Sequence, residues 1–342
     1  MLIRDTERRL EDQRCTQNPP IDNELAIKRI YQTEPIDATC WAYMRALRQF
    51  GATKKVFPVN HYVEVYQLQP NVFGLLTESA DGMGDPWMYL IVGPEKAMLI
   101  DTGFGIGDLK GLCETLAPGK ELIVVNTHAH PDHAYGNAQF DRVYCHEFDV
   151  LMMEGQNAHM WDYLFEHGDR EQGRCIWAEF DRNDIIPFCP FEIIGCPDGH
   201  EFDLGGGHIV ELIHMGGHTA GSCGFLDKTT KSLFTGDDLL SMRVGIGAAD
   251  LGAPHSQYMT VSALRDSFER LSARKAEFTH VYPGHFVTDL ENTTVDAMLA
   301  ACNAICADPI GSASYSMKNP MGKQLFRYVE GLGTIAYTDK NS

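Results

Sequence analysis

Thr127-His128-Ala129-His130-Pro131-Asp132-His133 is the stretch that decides how this chain is read. Four side chains able to bind a metal fall within six positions. They directly follow Leu122–Val125, a continuous apolar and mostly β-branched run of the kind expected in a strand buried on both faces. Ligand sites in α/β proteins lie at the ends of such strands. Three imidazoles this close would repel one another if protonated, whereas neutral and metal-bound they belong together. His128 and His130 can point the same way across a tight turn, and Asp132 and His133 can turn toward a neighbouring position. The competing reading is a polar loop with surface histidines, and the partners further along the chain argue against it.

Those partners also sit at strand ends. Gly216-Gly217-His218-Thr219 follows the strand-like run Ile209–Ile213. Phe234-Thr235-Gly236-Asp237 closes a hairpin that turns at Asp227-Lys228-Thr229-Thr230. Tyr282-Pro283-Gly284-His285 follows a short strand expected over Phe278–Tyr282. Each places a ligand-type residue after glycine, where the backbone can turn and approach closely. Upstream, Tyr62–Tyr66 alternates, and Met88–Val92 and Lys96–Ile100 read as a hairpin joined by Gly93-Pro94-Glu95. That hairpin ends in Asp101-Thr102-Gly103. The two hairpins that end in aspartate echo each other, which suggests a duplicated plan with two sheets face to face.

The rest of the chain frames this centre. Residues 1–57 are charge-rich, with helical spacing in Glu24–Ile30 and Trp41–Leu47 on either side of Pro35, and read as a helical N-terminal extension. Residues 150–190 carry Met152, Met153, Met160, Trp161 and Trp177 among many charges and read as a helical insertion, forming a lid or a dimer surface. Val261–Leu271 and Thr293–Cys306 read as helices. The tail 311–342 alternates at Tyr328, Gly331, Ile335 and Tyr337, which suggests an edge strand. The 342 residues suffice for one large domain with additions, here 58–310, and 44% of them are hydrophobic. A net charge of −19 repels polyanions at long range, so no nucleic-acid partner is expected. No apolar window of membrane-spanning length and no leader-like segment is read, so the expectation is a cytoplasmic protein without a membrane partner. The ten cysteines are scattered, none in a Cys-x-x-Cys pair, and are expected to be mostly buried free thiols.

Taken in order, His-x-His-x-Asp-His, Gly-His-Thr, Gly-Asp and the late histidine resemble the metallo-β-lactamase superfamily over roughly residues 58–290. Asp198–Gly206, leading into the Gly-His-Thr strand, also looks like that family. The resemblance implies an α/β fold, a four-layer αββα sandwich. It implies two divalent metal ions per chain, zinc first, with iron or manganese as alternatives. His128, His130 and His218 hold the first, Asp132, His133 and His285 the second, and Asp237 bridges both. It further implies a hydrolase of a small-molecule ester, thioester or lactone, using hydroxide bridged between the metals, with Asp132 also able to relay a proton. Asp101 sits where the family keeps a residue near the site, so a hydrogen-bonding role behind a ligand stands beside a plain turn role.

His255 and Tyr258 follow the Gly-Asp-Asp segment in a loop, where either could polarise a carbonyl oxygen or serve the loop alone. Tyr135 reads first as a helix-packing residue, with a place facing the pocket as the alternative. His61, His146, His159, His167, His200, His208, His214 and His280 have no partners at ligand spacing in the sequence and default to surface or core roles. One large group of β-lactamases uses a cysteine where this chain offers Asp237, and Cys223 reads as a strand residue. His130 stands where flavodiiron relatives carry glutamate. The set looks most like glyoxalase II, lactonases and related thioester hydrolases. The alternatives are a mononuclear iron oxygenase like persulfide dioxygenase, a phosphodiesterase or β-lactam hydrolase of the same fold, or a non-catalytic sensor. The extension and tail point to a homodimer.

Overall fold

A computed structural model describes residues 53–77, 85–162, 182–247, 253–319 and 322–342. The helices expected at Glu24–Ile30 and Trp41–Leu47 lie outside the described residues, as do His167 and Trp177. The chain divides into two compact units. One runs to Val125 and takes in His130–Val143 and Gly155–Glu192; the other is Asn126–Ala129, Tyr144–Glu154 and Ile193–Ser342.

The first unit is organised by a meander. Strands β1 (Lys55–Phe57), β2 (Asn60–Gln69), β3 (Val72–Thr77), β4 (Trp87–Val92) and β5 (Lys96–Ile100) pair antiparallel in sequence order. Helix α1 (Leu109–Leu116) then crosses over, and β6 (Glu121–Val125) pairs parallel to β5, as a right-handed strand–helix–strand connection allows. Asp108 caps α1 by accepting from the Gly111 N–H at 2.7 Å. The sheet order ends with β7 (Arg142–His146) and β8 (Glu192–Cys196). The hairpin read at Gly93–Glu95 is present. Full burial of Leu122–Val125 on both faces is not. Only Val124 and Val125 are buried, because the strand begins at a solvent-facing Lys96–Glu121 pair of 3.5 Å. Its buried end is the one that leads into the histidine-rich segment.

That segment continues as the short helix α2 (Pro131–Ala134), with Pro131 at its first position, where a fixed φ and a missing N–H cost nothing. Thr102 holds α2 in place. Its N–H and its hydroxyl both donate to the His133 carbonyl, at 2.8 and 3.1 Å. Behind it, Gly136 lies so close that a Cβ would sit 2.2 Å from the Thr102 carbonyl oxygen. Gly136→Ala is therefore expected to cost about 2 kcal/mol or more, read as a lower denaturant midpoint. A midpoint equal to the wild type would contradict this packing. Beneath lies a cluster of Phe104, Ile106, Ala138, Met160 and Trp161, with the Trp161 indole N–H donating to the Phe104 carbonyl at 2.8 Å. Tyr135 packs against the same cluster. Of the 150–190 stretch, Met160 and Trp161 are thus core residues, and helix α3 (Val150–Met153) is a single turn. Residues 163–181 lie outside the described residues.

The second unit carries β9 (Glu201–Asp203), β10 (Ile209–His214), β11 (Cys223–Asp227) and β12 (Ser232–Gly236), all antiparallel neighbours. After β13 (Arg243–Gly245) comes helix α4 (Val261–Ala273), capped by Thr260 and burying Val261, Leu264, Phe268 and Leu271 at helical spacing. It leads to β14 (His280–Pro283), which pairs parallel to β12. β15 (Leu290–Glu291) closes the edge and α5 (Thr293–Ala307) follows. The two expected helices are present.

The tail departs from expectation. It forms three strands, β16 (Tyr315–Asn319), β17 (Gly322–Val329) and β18 (Gly333–Tyr337), in a four-stranded sheet ordered β13-β18-β17-β16. The alternation at Tyr328–Tyr337 spans a turn at Gly331 rather than one strand, and β18 is an inner strand, paired parallel to β13. Most of the described cysteines are buried. No helix among the described residues is long and apolar enough to cross a membrane.

Candidate metal centre

The chemistry-bearing residues are delivered by strand ends. β5 ends at Asp101, whose N–H donates to the Val125 carbonyl at 2.8 Å and whose φ of 63° turns the chain back. Asp101 is 1% exposed, and its Oδ2 lies 2.9 Å from Nδ1 of His133. A proton on that nitrogen leaves Nε2 as the lone-pair atom, the arrangement that orients a metal-binding imidazole. His133 Nε2 lies 3.7 Å from Asp132 Oδ2, both residues sitting on the first turn of α2. His130 ends the preceding extended segment, and its carbonyl accepts the N–H groups of His133 and Ala134, each at 3.0 Å. Asp101→Asn is expected to keep the fold, since asparagine tolerates a positive φ. It weakens metal affinity about 10- to 100-fold, read by chelator competition, through the lost charge behind His133. Unchanged affinity would return Asp101 to a plain turn role.

In the second unit, a carboxylate sits between two imidazoles. Asp237 Oδ2 is 3.5 Å from Nε2 of His218 and 3.5 Å from Nε2 of His285. His218 Nδ1 donates to the Gly245 carbonyl at 2.7 Å, which again leaves Nε2 as the lone-pair nitrogen. The His128 ring meets His218 edge-on, with centroids 4.9 Å apart, and its Nδ1 lies 3.0 Å from the Thr127 hydroxyl.

Three triads of these side chains have ligand atoms all within 4.8 Å of one another: His128–His130–His218, His128–His133–Asp237 and Asp132–His133–His285. Among the described residues, no other histidine, cysteine, aspartate or glutamate side chains form such a group. The donors are imidazole nitrogens and carboxylate oxygens, a set that suits zinc and its first-row neighbours. Carboxyl groups are also gathered here. Burial holds the Asp238 carboxyl well above the usual carboxylate range, the His218 N–H pulls it down, and Asp237 and Asp149 push it up again. A divalent cation fits such surroundings.

Not every residue singled out in the sequence joins the triads. His255, at a φ of 58°, stacks on Phe148 at 4.0 Å, and Tyr258 lies over the same ring at 5.2 Å and edge-on to His214 at 5.1 Å. The Tyr258 carbonyl accepts the Gly217 N–H at 2.6 Å, beside the His218 segment. Cys223 lies on β11, with its sulfur 3.4 Å from the Thr127 carbonyl, outside the triads. His208 pairs with Asp227 at 2.8 Å and His280 with Asp289 at 2.7 Å.

His146 stacks on His214 at 4.1 Å. Burial, then the neighbouring His214, lower its pKa to about 3 despite the opposing pull of Asp198. An unfolded histidine titrates at about 6.5, so the unfolded chain takes up this proton first. The His146 contribution to stability is therefore intact above about pH 6.5 and is lost as pH falls toward 3. His146→Phe, which keeps a stacking ring, is expected to move the acid-unfolding midpoint to lower pH, followed by circular dichroism. An unmoved midpoint would refute that assignment.

Residues 81–285 match the family model described as the metallo-beta-lactamase superfamily. The chain belongs to the metallo-β-lactamase superfamily. Its fold class is the αββα sandwich of that superfamily. It is 29% identical over 215 residues to an acyl-coenzyme A thioesterase MBLAC2 of Bos taurus, a match covering 59% of this chain and 73% of the relative. A hydroxyacylglutathione hydrolase of Ruegeria pomeroyi is 33% identical over 109 residues, 31% of this chain and 40% of that one. A solved metallo-beta-lactamase from Pontibacter korlensis aligns with a TM-score of 0.47 at 19% identity, covering 70% of this chain and 99% of its own. Members of this superfamily bind divalent metal, and the relatives named are hydrolases.

Proposed function

We propose that this metallo-β-lactamase-fold hydrolase holds two divalent metal ions, zinc first, and cleaves a thioester or related acyl bond of a small molecule. The observation that carries the reading is the Asp237 carboxylate oxygen, equidistant at 3.5 Å from Nε2 of His218 and of His285. His128, His130 and His218 hold one ion, Asp132, His133 and His285 the other, and Asp237 serves both. Two such ions, when bound, supply Lewis acidity for the acyl oxygen and make water a nucleophile near neutral pH. Asp101 keeps the proton of His133 on Nδ1, and the Gly245 carbonyl does the same for His218, so that both rings present Nε2. Asp132, largely buried at 6% exposure, takes a proton during attack or returns it to the leaving thiolate. Tyr258, whose backbone carbonyl accepts the Gly217 N–H, and His255 polarise the substrate carbonyl.

Support for the thioester class comes from the two kinds of relative, one named for acyl-coenzyme A and the other for an acylglutathione. The test is thiol release from panels of acyl-coenzyme A and acylglutathione substrates by zinc-loaded protein. Turnover of either series at a rate that rises with metal occupancy is the expected result. A fully loaded protein inert on both, yet active on β-lactams or phosphodiesters, would overturn the substrate class.

A further inference from the structure

Asp149 was not singled out in the sequence, yet it is 1% exposed and sits where two ligand-bearing loops of the second unit meet. Its Oδ2 accepts the Ala129 N–H at 3.0 Å and the Thr219 hydroxyl at 3.1 Å. Its Oδ1 accepts the Gly221 N–H at 2.9 Å. Ala129 lies between His128 and His130, and Thr219 directly follows His218. Gly221 approaches so closely that a Cβ there would stand 2.6 Å from Oδ1, so the glycine makes room for the carboxylate.

We propose that Asp149 is a positioning residue of the metal centre: it clamps the His128–Ala129 segment to the His218 loop and thereby sets how tightly the ion on His128 and His218 is held. This rests on the metal-centre reading above. The chemistry requires a carboxylate. Every partner donates, so both oxygens must accept, and an asparagine would turn its NH2 against one of the donors. A buried anion surrounded only by neutral donors is costly to desolvate, and a nearby bound cation relieves that cost. The carboxylate and the ion therefore favour each other, although Asp149 belongs to none of the ligand triads.

The full-length chain is compared as wild type, Asp149→Asn, Thr219→Val and Asp227→Asn. Each is titrated with zinc against a competing chromophoric chelator, and its melting temperature is taken with and without zinc. Asp227 is the control, a buried carboxylate that accepts from Thr229, Thr230 and His208 at a turn remote in sequence from the ligand segments. Asp149→Asn is expected to weaken zinc at one site by about 10- to 100-fold and to shrink the zinc-induced rise in melting temperature. Thr219→Val, which removes one of the three donors, gives a smaller loss in the same direction. Asp227→Asn lowers the metal-free melting temperature and leaves affinity within about twofold, since it acts on folding alone. Wild-type affinity in Asp149→Asn, or an equal loss in Asp227→Asn, overturns the role. A wild type that binds no zinc overturns the metal-centre reading, and this inference falls with it.

Discussion

Asp237→Ala is expected to reduce turnover by about a thousandfold or more. In the proposed centre, this one carboxylate serves both ions. Its loss removes a shared anchor and leaves Nε2 of His218 and of His285 without the oxygen that stands 3.5 Å from each. Lewis-acid stabilisation of an acyl-transfer transition state is worth several kcal/mol. Each factor of ten in rate corresponds to about 1.4 kcal/mol, so partial loss of that stabilisation already gives three orders of magnitude. The measurement is kcat/KM with saturating metal in the buffer. Asp237 closes β12, whose core residues Leu233 and Phe234 are untouched by the change, so the melting temperature of the metal-free protein should stay close to wild type. A variant that keeps a tenth of wild-type activity would show that Asp237 is dispensable to the reaction.

Metal removal carries the second large effect. Asp132, Asp237 and Asp238 are each below 10% exposure, and burying carboxylates is unfavourable without a compensating cation. An ion that binds only the folded state and is present at a thousand times its dissociation constant stabilises it by about 4 kcal/mol. For a chain of this size, that corresponds to a fall in melting temperature of roughly 6 °C on chelation. Activity should vanish with it, and both should return on adding zinc, manganese or iron. Thermal scans with and without chelator check the prediction. A melting curve unmoved by chelation of demonstrably loaded protein would refute the coupling of metal to stability.

The candidate site was legible largely because its proposed ligands follow strand ends and cluster in sequence. His128, His130, Asp132 and His133 sit on one turn and one short helix, and local geometry brings them together whatever the rest of the chain does. His218, Asp237 and His285 were legible as single residues after glycine at the ends of apolar runs, and Asp101 as the end of a hairpin. The contacts that support them were not. Asp149 reaches Ala129 and Thr219, partners 20 and 70 positions away, and no local pattern marks a carboxylate that will be buried. The aromatic group around Phe148, His214, His255 and Tyr258 is likewise assembled by tertiary packing. In the fold, hairpins and amphipathic helices were readable from periodicity. The C-terminal sheet was not, because β18 pairs with β13 across some ninety residues, and parallel long-range pairing leaves no trace in either strand alone. Met160 and Trp161 read as part of a lid or dimer surface, and Tyr135 as a helix-packing residue that could face the pocket. All three pack into one core cluster, as expected for Tyr135 but not for Met160 and Trp161, because the same apolar surface serves either end and only contact decides.

The central claim is that this chain holds two metal ions on the seven residues His128, His130, Asp132, His133, His218, Asp237 and His285. Elemental analysis of the purified full-length protein, after removal of loosely bound metal, tests it most directly. The account requires close to two equivalents of divalent metal per chain. A single iron per chain with no second ion taken up on titration would contradict it and would point to oxygen chemistry on one metal instead.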